Sequence, residues 1–208
     1  MNKKLIKSIV SVTWGLGVAT SIPFVATSCG CSSVSPDKIN PLPDTVYKYD
    51  ATNNKKLLGF TDEFLVNQNK YKQYNTMLIS TNVNDIAQEA FHGKIPLFIT
   101  KIIFPAEMPE EIATGYGVFY NNSSITSIVL PGNLKTTYMG LFEDCSNLSS
   151  ITWDAWDCSS FDGCFRGVAA TGTVKVTNPI DSDYDSAALL TILKQSGELP
   201  SGWQVAED

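Results

Sequence analysis

Residues 125–153 read ITSIVLPGNLKTTYMGLFEDCSNLSSITW, and this stretch decides the fold. Its opening Ile-x-x-Ile returns as Leu-x-x-Ile at residues 148–151, so it holds one copy of a pattern and the start of the next. A Gly-x-Phe triplet recurs at a constant step, at positions 117–119, 140–142 and 163–165. Further columns keep this step: Ile125, Leu148 and Thr171; Ser127, Ser150 and Thr173; Ile128, Ile151 and Val174; Leu130, Trp153 and Val176. A period of this length indicates stacked repeats.

The pattern continues upstream with less regular spacing. Residues 99–105 (ITKIIFP) match residues 125–131 (ITSIVLP) at a wider offset, which implies a short insertion around residues 110–116. Residues 77–83 match residues 128–134, and Glu89-Ala90-Phe91 stands where Gly-x-Phe stands later. The chain therefore carries five strand segments and four Phe-bearing segments.

Each repeat has the composition of a short strand followed by a turn. In Ile-x-Leu-Pro the apolar residues alternate with a small or polar one, so one face of the strand points inward. Proline then ends the strand because it cannot donate to a ladder. One unit of this length cannot bury its side chains alone, so units stack. We predict a mainly β or α/β fold: a short solenoid of about four to five coils of about 23 residues, with a parallel sheet and a C-terminal capping helix.

These repeats resemble a known family. Residues 142–151 (FEDCSNLSSI), residues 86–91 (IAQEAF) and the Ile-x-Leu-Pro strands resemble the BspA-type leucine-rich repeat, over about residues 77–177. The resemblance implies a bacterial surface protein, often a lipoprotein of wall-less bacteria, associated with adhesion or host recognition. The family brings no catalytic residues, so we expect no enzymatic activity. The widened second unit and the polar Thr171 depart from the family pattern.

The amino terminus has the layout of a secretory signal, since three lysines within residues 1–7 precede the uncharged residues 8–28. Residues 26–28 (ATS) then stand directly before Cys29, which resembles the lipobox of bacterial lipoproteins, with Ala26 in place of the usual leucine. The resemblance implies cleavage before Cys29, a diacylglycerol on its thiol with palmitate as an acyl chain, and a position on the extracellular face of the cell membrane. An uncut spanning segment at residues 8–28 is the alternative.

Five regions follow from these patterns. We predict a signal peptide (1–28), a lipid-anchored flexible tether rich in Ser, Pro and Asp (29–44), an N-terminal cap region (45–76), the repeats (77–180) and a C-terminal cap (181–208). In the C-terminal cap, residues 183–196 begin with acidic residues, place apolar residues on one face and end before Gly197, which is typical of a capped amphipathic helix. Residues 199–205 then read as an edge strand that covers the end of the sheet.

Charge and composition restrict the partners. The formal charge is −6, and loss of residues 1–28, with three lysines and no acidic residue, would make it −9. An acidic domain is a poor partner for phosphate backbones, so we expect no nucleic-acid binding. We also expect no cofactor and no metal, because His92 is the only histidine and the cysteines lack zinc-site spacing. The acidic residues Glu107, Glu110 and Glu111 fit loop solubility better than a metal site.

The outward positions of the strands form the candidate binding surface. They carry small hydroxyl residues and two lysines, on a sheet about 20 Å wide that suits a loop or a short glycan. A plain solvated face is the alternative. The residues that we select are Lys101, Ser127, Val129, Ser150, Thr152, Thr173 and Lys175.

Two further groups of residues invite a chemical interpretation. Cys158 and Cys164 lie in one coil, where they could either pair in a strained or reversible disulfide or stay unpaired, while Cys145 fits a half-buried packing role. Trp153 falls on the inward Leu130 column, whereas Trp156 fits either a core position or an exposed carbohydrate platform. The carboxylates of Asp154 and Asp157 are better explained by a solvated turn than by glycoside hydrolysis.

The sequence favours a non-enzymatic, lipid-anchored surface protein that recognises an extracellular protein or glycan. One alternative is a solute-capture lipoprotein of a transporter, although the chain is short for two lobes. Another is a structural or antigenic coat protein without a specific ligand.

Overall fold

The computed structural model describes residues 39–106, 108, 111–134, 139–157 and 161–207. In chain order the strands and helices are β1 (Tyr47–Tyr49), β2 (Lys56–Phe60), α1 (Asp62–Val66), β3 (Thr76–Leu78), β4 (Asp85–Ile86), β5 (Lys101–Ile103), β6 (Ala113–Thr114), β7 (Ser127–Leu130), β8 (Ser150–Asp154), β9 (Thr171–Thr177), α2 (Ser186–Gln195) and β10 (Gly202–Val205). Short 3-10 turns occupy Asp44–Val46, Gln68–Tyr71 and Ser182–Tyr184.

The main sheet has six strands in the order β3-β5-β7-β8-β9-β10. All its neighbouring strands are parallel. Its register reproduces the sequence columns, because Ile102, Ile128, Ile151 and Val174 are partners across consecutive strands. The coil from Ile102 to Ile128 is therefore slightly longer than the two that follow, which are equal in length. This confirms the predicted fold, a short solenoid of about four turns with a parallel sheet.

Burial alternates along β5, β7 and β8, and over residues 173–177 of β9, as the pattern predicts. In β7, Ile128 and Leu130 are buried, while Ser127 and Val129 are half-buried on the other face. Trp153 is fully buried in the column of Leu130. The inward columns therefore supply the core, and the alternate residues form the outer face of the sheet.

A second sheet closes another side of the coils in the N-terminal half of the domain. It has the order β1-β2-β4-β6, in which β1 and β2 pair antiparallel and β2, β4 and β6 pair parallel. The strands β4 and β6 are only two residues long. Each lies in the connection between two strands of the main sheet, so the sequence insertion around residues 110–116 contains β6.

The Gly-x-Phe triplets form a turn on the remaining side. The N–H groups of Phe91, Phe119 and Phe142 donate to carbonyls of the following coil, at 3.0, 3.0 and 2.8 Å. The rings of Phe91, Phe119, Phe142 and Phe165 stack in sequence with centroid distances of 5.6, 5.0 and 5.9 Å and interplanar angles of 3 to 7°. This Phe stack fills the interior opposite the main sheet, as predicted.

The first position of each triplet requires a left-handed backbone. Gly117, Gly140 and Gly163 have φ values of 58, 75 and 69°, and Glu89 occupies the same column with φ 53°. Glycine adopts this conformation without a steric penalty, whereas a residue with a Cβ does not. The Glu89 triplet therefore keeps the geometry of the later triplets at a conformational cost.

Aromatic residues cover the N-terminal end of the Phe stack. Phe60 of β2 packs on Phe91 with centroids 4.8 Å apart, Phe64 of α1 packs on Phe60 at 4.6 Å, and Tyr71 packs on Phe64 at 5.0 Å. Thr61 caps α1, because its hydroxyl accepts the Phe64 N–H at 3.3 Å. The sequence had left the structure of this region open.

Residues that we predicted to lie in the tether belong to the folded part. Leu42 is buried, and its N–H donates to the Thr76 carbonyl at 2.8 Å. Pro41 forms a parallel bridge with Thr76 beside β3. The fold therefore includes residues before Thr45, where we placed the boundary, because Leu42, an apolar residue in a mostly polar segment, packs into the core.

The helix α2 and the strand β10 cover the C-terminal end. The predicted helix is present, but it begins at Ser186 rather than Asp183 because Asp185 is its N-cap and accepts the Ala188 N–H at 2.9 Å. The Trp203 side chain of β10 is buried and donates to the Ala169 carbonyl at 2.7 Å. Among the residues described, no helix is long and apolar enough to cross a membrane.

Candidate binding face of the main sheet

The predicted surface residues lie in two rows across the outer face of the main sheet. Paired positions place Lys101, Ser127, Ser150 and Thr173 in the first row. Ile103, Val129, Thr152 and Lys175 form the second row by the same pairing. The structure therefore brings all seven selected residues onto one face.

A groove of about 500 Å³ lies on this face. Five of the selected residues line it, and Thr173 and Lys175 lie beyond it towards β10. The groove also includes Asn75 and Thr76, which the sequence analysis missed because β3 is the least regular copy of the strand. The selected residues in the groove are Lys101, Ser127, Val129, Ser150 and Thr152.

Hydrogen bonds hold one end of the groove in place. The Thr76 hydroxyl donates to Asn75 Oδ1 at 2.8 Å, and the Asn40 N–H donates to the same oxygen at 2.9 Å. The Thr126 hydroxyl donates to the Thr100 carbonyl at 3.2 Å. The bonds from Asn40 to Asn75 and from Thr126 to Thr100 connect segments far apart in sequence, so they help to hold the backbone at this end of the groove in place.

Among the described residues, Lys101 is the only charged one that lines the groove. The strands of the main sheet contain one acidic residue, Asp154, at the end of β8. Its carboxylate accepts hydrogen bonds from Thr177 Oγ1 at 3.0 Å and Asn178 Nδ2 at 2.8 Å. Asp154 thus fastens the end of β8 to β9 and does not line the groove.

The two tryptophans beside this face are buried. Trp153 Nε1 donates to the Pro131 carbonyl at 3.0 Å, and Trp156 has only 3% of its surface exposed. Trp156 packs against Phe161 and Tyr184. The alternative of a tryptophan platform for carbohydrate is therefore wrong, because the apolar rings fill the space between the last coil and the C-terminal cap.

The other residues that the sequence singled out do not form a cluster in the described part of the chain. The His92 ring lies edge-on to Tyr120 with centroids 4.7 Å apart. Within the described ranges, no group of three His, Cys, Asp or Glu side chains is placed to hold a metal ion. Cys164 is buried, whereas Cys29, Glu107, Glu110 and Cys158 lie outside the described residues, so lipidation and the disulfide between Cys158 and Cys164 stay predictions.

A family model for the BspA type leucine rich repeat region matches residues 67–182 in six copies. The chain belongs to this BspA-type leucine-rich-repeat family. The match extends beyond the five strand segments that the sequence analysis counted. Comparisons with the curated proteins and with the solved structures found no match. The family commonly provides surface and adhesion repeats.

One column of these BspA-type repeats joins neighbouring coils through side chains. Leucine-rich repeats carry Asn or Cys at a fixed position of the coil. Here Asn122 Nδ2 donates to the Phe91 carbonyl at 3.0 Å, and one coil later Cys145 Sγ donates to the Phe119 carbonyl at 3.2 Å. Each side chain therefore bonds to the Phe carbonyl of the preceding coil, which the sequence analysis had not foreseen.

Cys145 is more deeply buried than predicted. None of its surface is exposed, and burial raises the pKa of its thiol to about 12. A thiol in this state is a weak nucleophile, because the thiolate is the reactive form. Cys145 therefore has a packing and hydrogen-bonding role in the repeat.

Proposed function

We propose that this chain is a lipid-anchored bacterial surface protein whose repeat domain binds an extracellular protein or glycan without catalysing a reaction. The observation that carries the proposal is the groove on the outer face of the main sheet. It is concave, lined by hydroxyl groups and built from consecutive repeats. The family, whose repeats are commonly found on surfaces and in adhesion, supports the same function.

The anchoring part of the proposal rests on the N-terminal sequence. A basic start, an uncharged stretch and a small-residue run before Cys29 have the order that export and lipid attachment require. A diacylglycerol on Cys29 would hold the repeats at the outer face of the membrane. Two acyl chains are enough for stable attachment, whereas one gives only reversible binding.

The recognition part rests on how the face is built. Small polar side chains repeat at the strand spacing of about 4.8 Å. The Ser127 hydroxyl is buried, so the hydroxyl donors and acceptors offered to a ligand are those of its neighbours in the groove, such as Ser150 and Thr152. The inward columns and the Phe stack support these positions from below. Binding groups on such a rigid scaffold lose little entropy when a ligand is bound.

Anchoring is tested by intact-mass analysis of the detergent-extracted protein, together with protease treatment of whole cells. We expect a mass that corresponds to a chain starting at Cys29 plus acyl groups, and rapid loss of the protein from treated cells. The control is Cys29→Ala, which removes the thiol and should yield an unacylated precursor. A precursor mass for the wild-type chain, or full protection from protease, would contradict anchoring at the surface.

Recognition is tested with cells that display the full chain on surfaces coated with host glycoproteins. Ser150→Glu places a bulky negative side chain in the groove, and we expect it to reduce retention of the cells. Ser201→Glu is the matched control, because Ser201 is exposed on the loop before β10. Equal retention of wild-type and Ser150→Glu cells would contradict a binding role for the groove, and would favour a coat protein or a solute-capture lipoprotein.

A further inference from the structure

We infer that the groove selects an acidic glycan, meaning a sugar chain that carries a carboxylate or a sulfate group. This inference rests on the proposed function and specifies the chemistry of its ligand. It combines three observations: the charge of the groove, the hydrogen-bonding groups that line it and the position of Lys101 in the first row.

The charge of the groove differs in sign from that of the chain. The chain has a formal charge of −6, yet no described Asp or Glu lines the groove and Lys101 does. No ion pair to a described residue involves Lys101. A ligand with a negative group would pair with this ammonium, whereas a cationic ligand would face it without compensation.

The lining of the groove fits a sugar better than a protein surface. Hydroxyl groups of Thr100, Ser149 and Ser150 can both donate and accept hydrogen bonds, as the hydroxyl groups of a sugar do. The Thr126 hydroxyl donates to the Thr100 carbonyl and can still accept from a ligand. In the described part of the chain, no arginine lines the groove, although arginine is one of the residues that dominate the binding energy of protein interfaces. The apolar contribution comes from Val129, which is half-buried on this face.

The order of residues in the first row defines how the ligand would lie. Lys101, Ser127 and Ser150 occupy consecutive strands, so they are spaced by about 4.8 Å across the sheet. The acidic group would lie over β5 at Lys101, and the neighbouring sugar units would cross β7 and β8. A shallow groove with these contacts gives weak binding at one site, and many copies on a membrane would strengthen it by multivalency.

The test uses the full chain in detergent and polymer conjugates of three sugars: 3′-sialyllactose, 3′-sulfolactose and lactose. We expect both acidic conjugates to bind more tightly than the lactose conjugate by about tenfold or more, since hydrogen bonds to charged groups are the strong ones. Preference for one acidic conjugate distinguishes a carboxylate from a sulfate. Binding should also weaken as the salt concentration rises.

Lys101→Glu should remove the preference for the acidic conjugates and reduce their binding by about tenfold or more. Lys48→Glu makes the same charge change on β1 of the second sheet, where the side chain is exposed, and should leave binding within about twofold. The amide exchange of both variants is compared with that of the wild type, so that a folding defect at Lys101 is not mistaken for lost contact.

Several outcomes separate this inference from the proposed function. Equal binding of lactose and the acidic conjugates, unchanged by Lys101→Glu, would overturn selection of an acidic group but would keep glycan recognition. Binding of none of the conjugates, while Ser150→Glu still abolishes retention on host glycoproteins, would overturn a glycan ligand in favour of a protein. Failure of the conjugates together with an unaffected Ser150→Glu variant would overturn both proposals.

Discussion

The carboxylate of Glu198 accepts the backbone N–H of Phe165 at 2.9 Å. Its other oxygen accepts the Gly163 N–H at 2.7 Å. In the interior of the array, the equivalent N–H of Phe142 donates to the carbonyl of Cys164 in the next coil. The last coil has no successor, so one buried side chain supplies the two acceptors that a further coil would provide.

Glu198→Gln tests how much the two hydrogen bonds to the Glu198 carboxylate stabilise the last coil. A glutamine side chain has one acceptor oxygen and would turn its NH₂ towards the second N–H, leaving a buried donor unsatisfied. We expect a loss of roughly 1–3 kcal/mol in the free energy of unfolding, and a larger loss for Glu198→Ala. Urea unfolding followed by circular dichroism measures both, and a stability of Glu198→Gln equal to that of the wild type would show that the carboxylate is not needed.

Glu89→Gly should stabilise the protein. Glu89 has the left-handed φ of 53° that its column demands, and glycine removes the steric cost of that conformation. We expect a gain of about 1 kcal/mol, because the more flexible unfolded chain offsets part of the relief. Thermal unfolding in a calorimeter measures the change.

Gly117→Ala is the converse control for Glu89→Gly. A Cβ at Gly117 would make only ordinary contacts, 3.5 Å to Tyr120 and 3.8 Å to Glu89, so the change tests the backbone conformation alone. We expect a loss of about 1 kcal/mol. If Glu89→Gly and Gly117→Ala shift the free energy of unfolding in the same direction, the left-handed backbone of this column does not explain the two effects.

Asn122→Ala should lower the free energy of unfolding more than an Asn→Ala substitution at an exposed position. Asn122 accepts the Ile95 N–H at 3.0 Å and donates to the carbonyls of Phe91 and Phe119 at 3.0 and 2.8 Å. Removing this amide leaves buried groups without partners, and we expect a loss of about 2–4 kcal/mol. Asn147 is exposed and bonds only to the Ser123 carbonyl among the described residues, so Asn147→Ala should cost under about 1 kcal/mol in the same urea titration.

Cys145 should resist alkylation in the folded protein. Its thiol is buried, so iodoacetamide cannot reach the sulfur. Its pKa is raised to about 12, so the reactive thiolate is scarce in a mildly alkaline buffer. Peptide mapping should find Cys145 unmodified until urea is added, while a cysteine introduced by Ser201→Cys is modified at once. Rapid modification of Cys145 without urea would mean that this coil opens readily.

The same thiol predicts a pH dependence of stability. The unfolded thiol ionises near its ordinary pKa of 9.0, whereas the folded thiol, with its raised pKa, stays protonated up to about 12. Ionisation therefore favours the unfolded chain, and the stability that Cys145 contributes is present below its ordinary pKa and is lost as the pH rises towards 12. The difference in urea midpoint between wild type and Cys145→Ala should narrow over this range, and a constant difference would contradict the assignment.

The repeat columns allowed the main sheet and the Phe stack to be predicted residue by residue. Ile128, Ile151 and Trp153 lie in the predicted inward columns, because an apolar residue in a strand of this pattern can be buried on only one face. Phe91 also takes its predicted place, although the segment that links it to Phe119 is longer than the later links of the stack. The extra residues between Phe91 and Phe119 are accommodated elsewhere in the coil, and the two rings still stack.

The features that escaped prediction depend on contacts far apart in sequence. The strands β4 and β6 have two residues each, too few for an alternation to be read. Glu198 lies 33 residues from Phe165, and an acidic residue in a sequence indicates solvent rather than a buried cap. Asn75 and Thr76 of the groove were not predicted, because β3 is the least regular copy of the strand.

The Phe stack has a consequence for how such an array changes length. Each interior coil contacts its two neighbours through the same kind of ring stacking and the same backbone hydrogen bonds. A duplicated coil, such as 126–148, could therefore form these contacts with the coil before it and the coil after it. Only the two ends are unique. Unequal recombination between copies would therefore lengthen or shorten the domain in whole-coil steps, while the contacts at both termini stay unchanged.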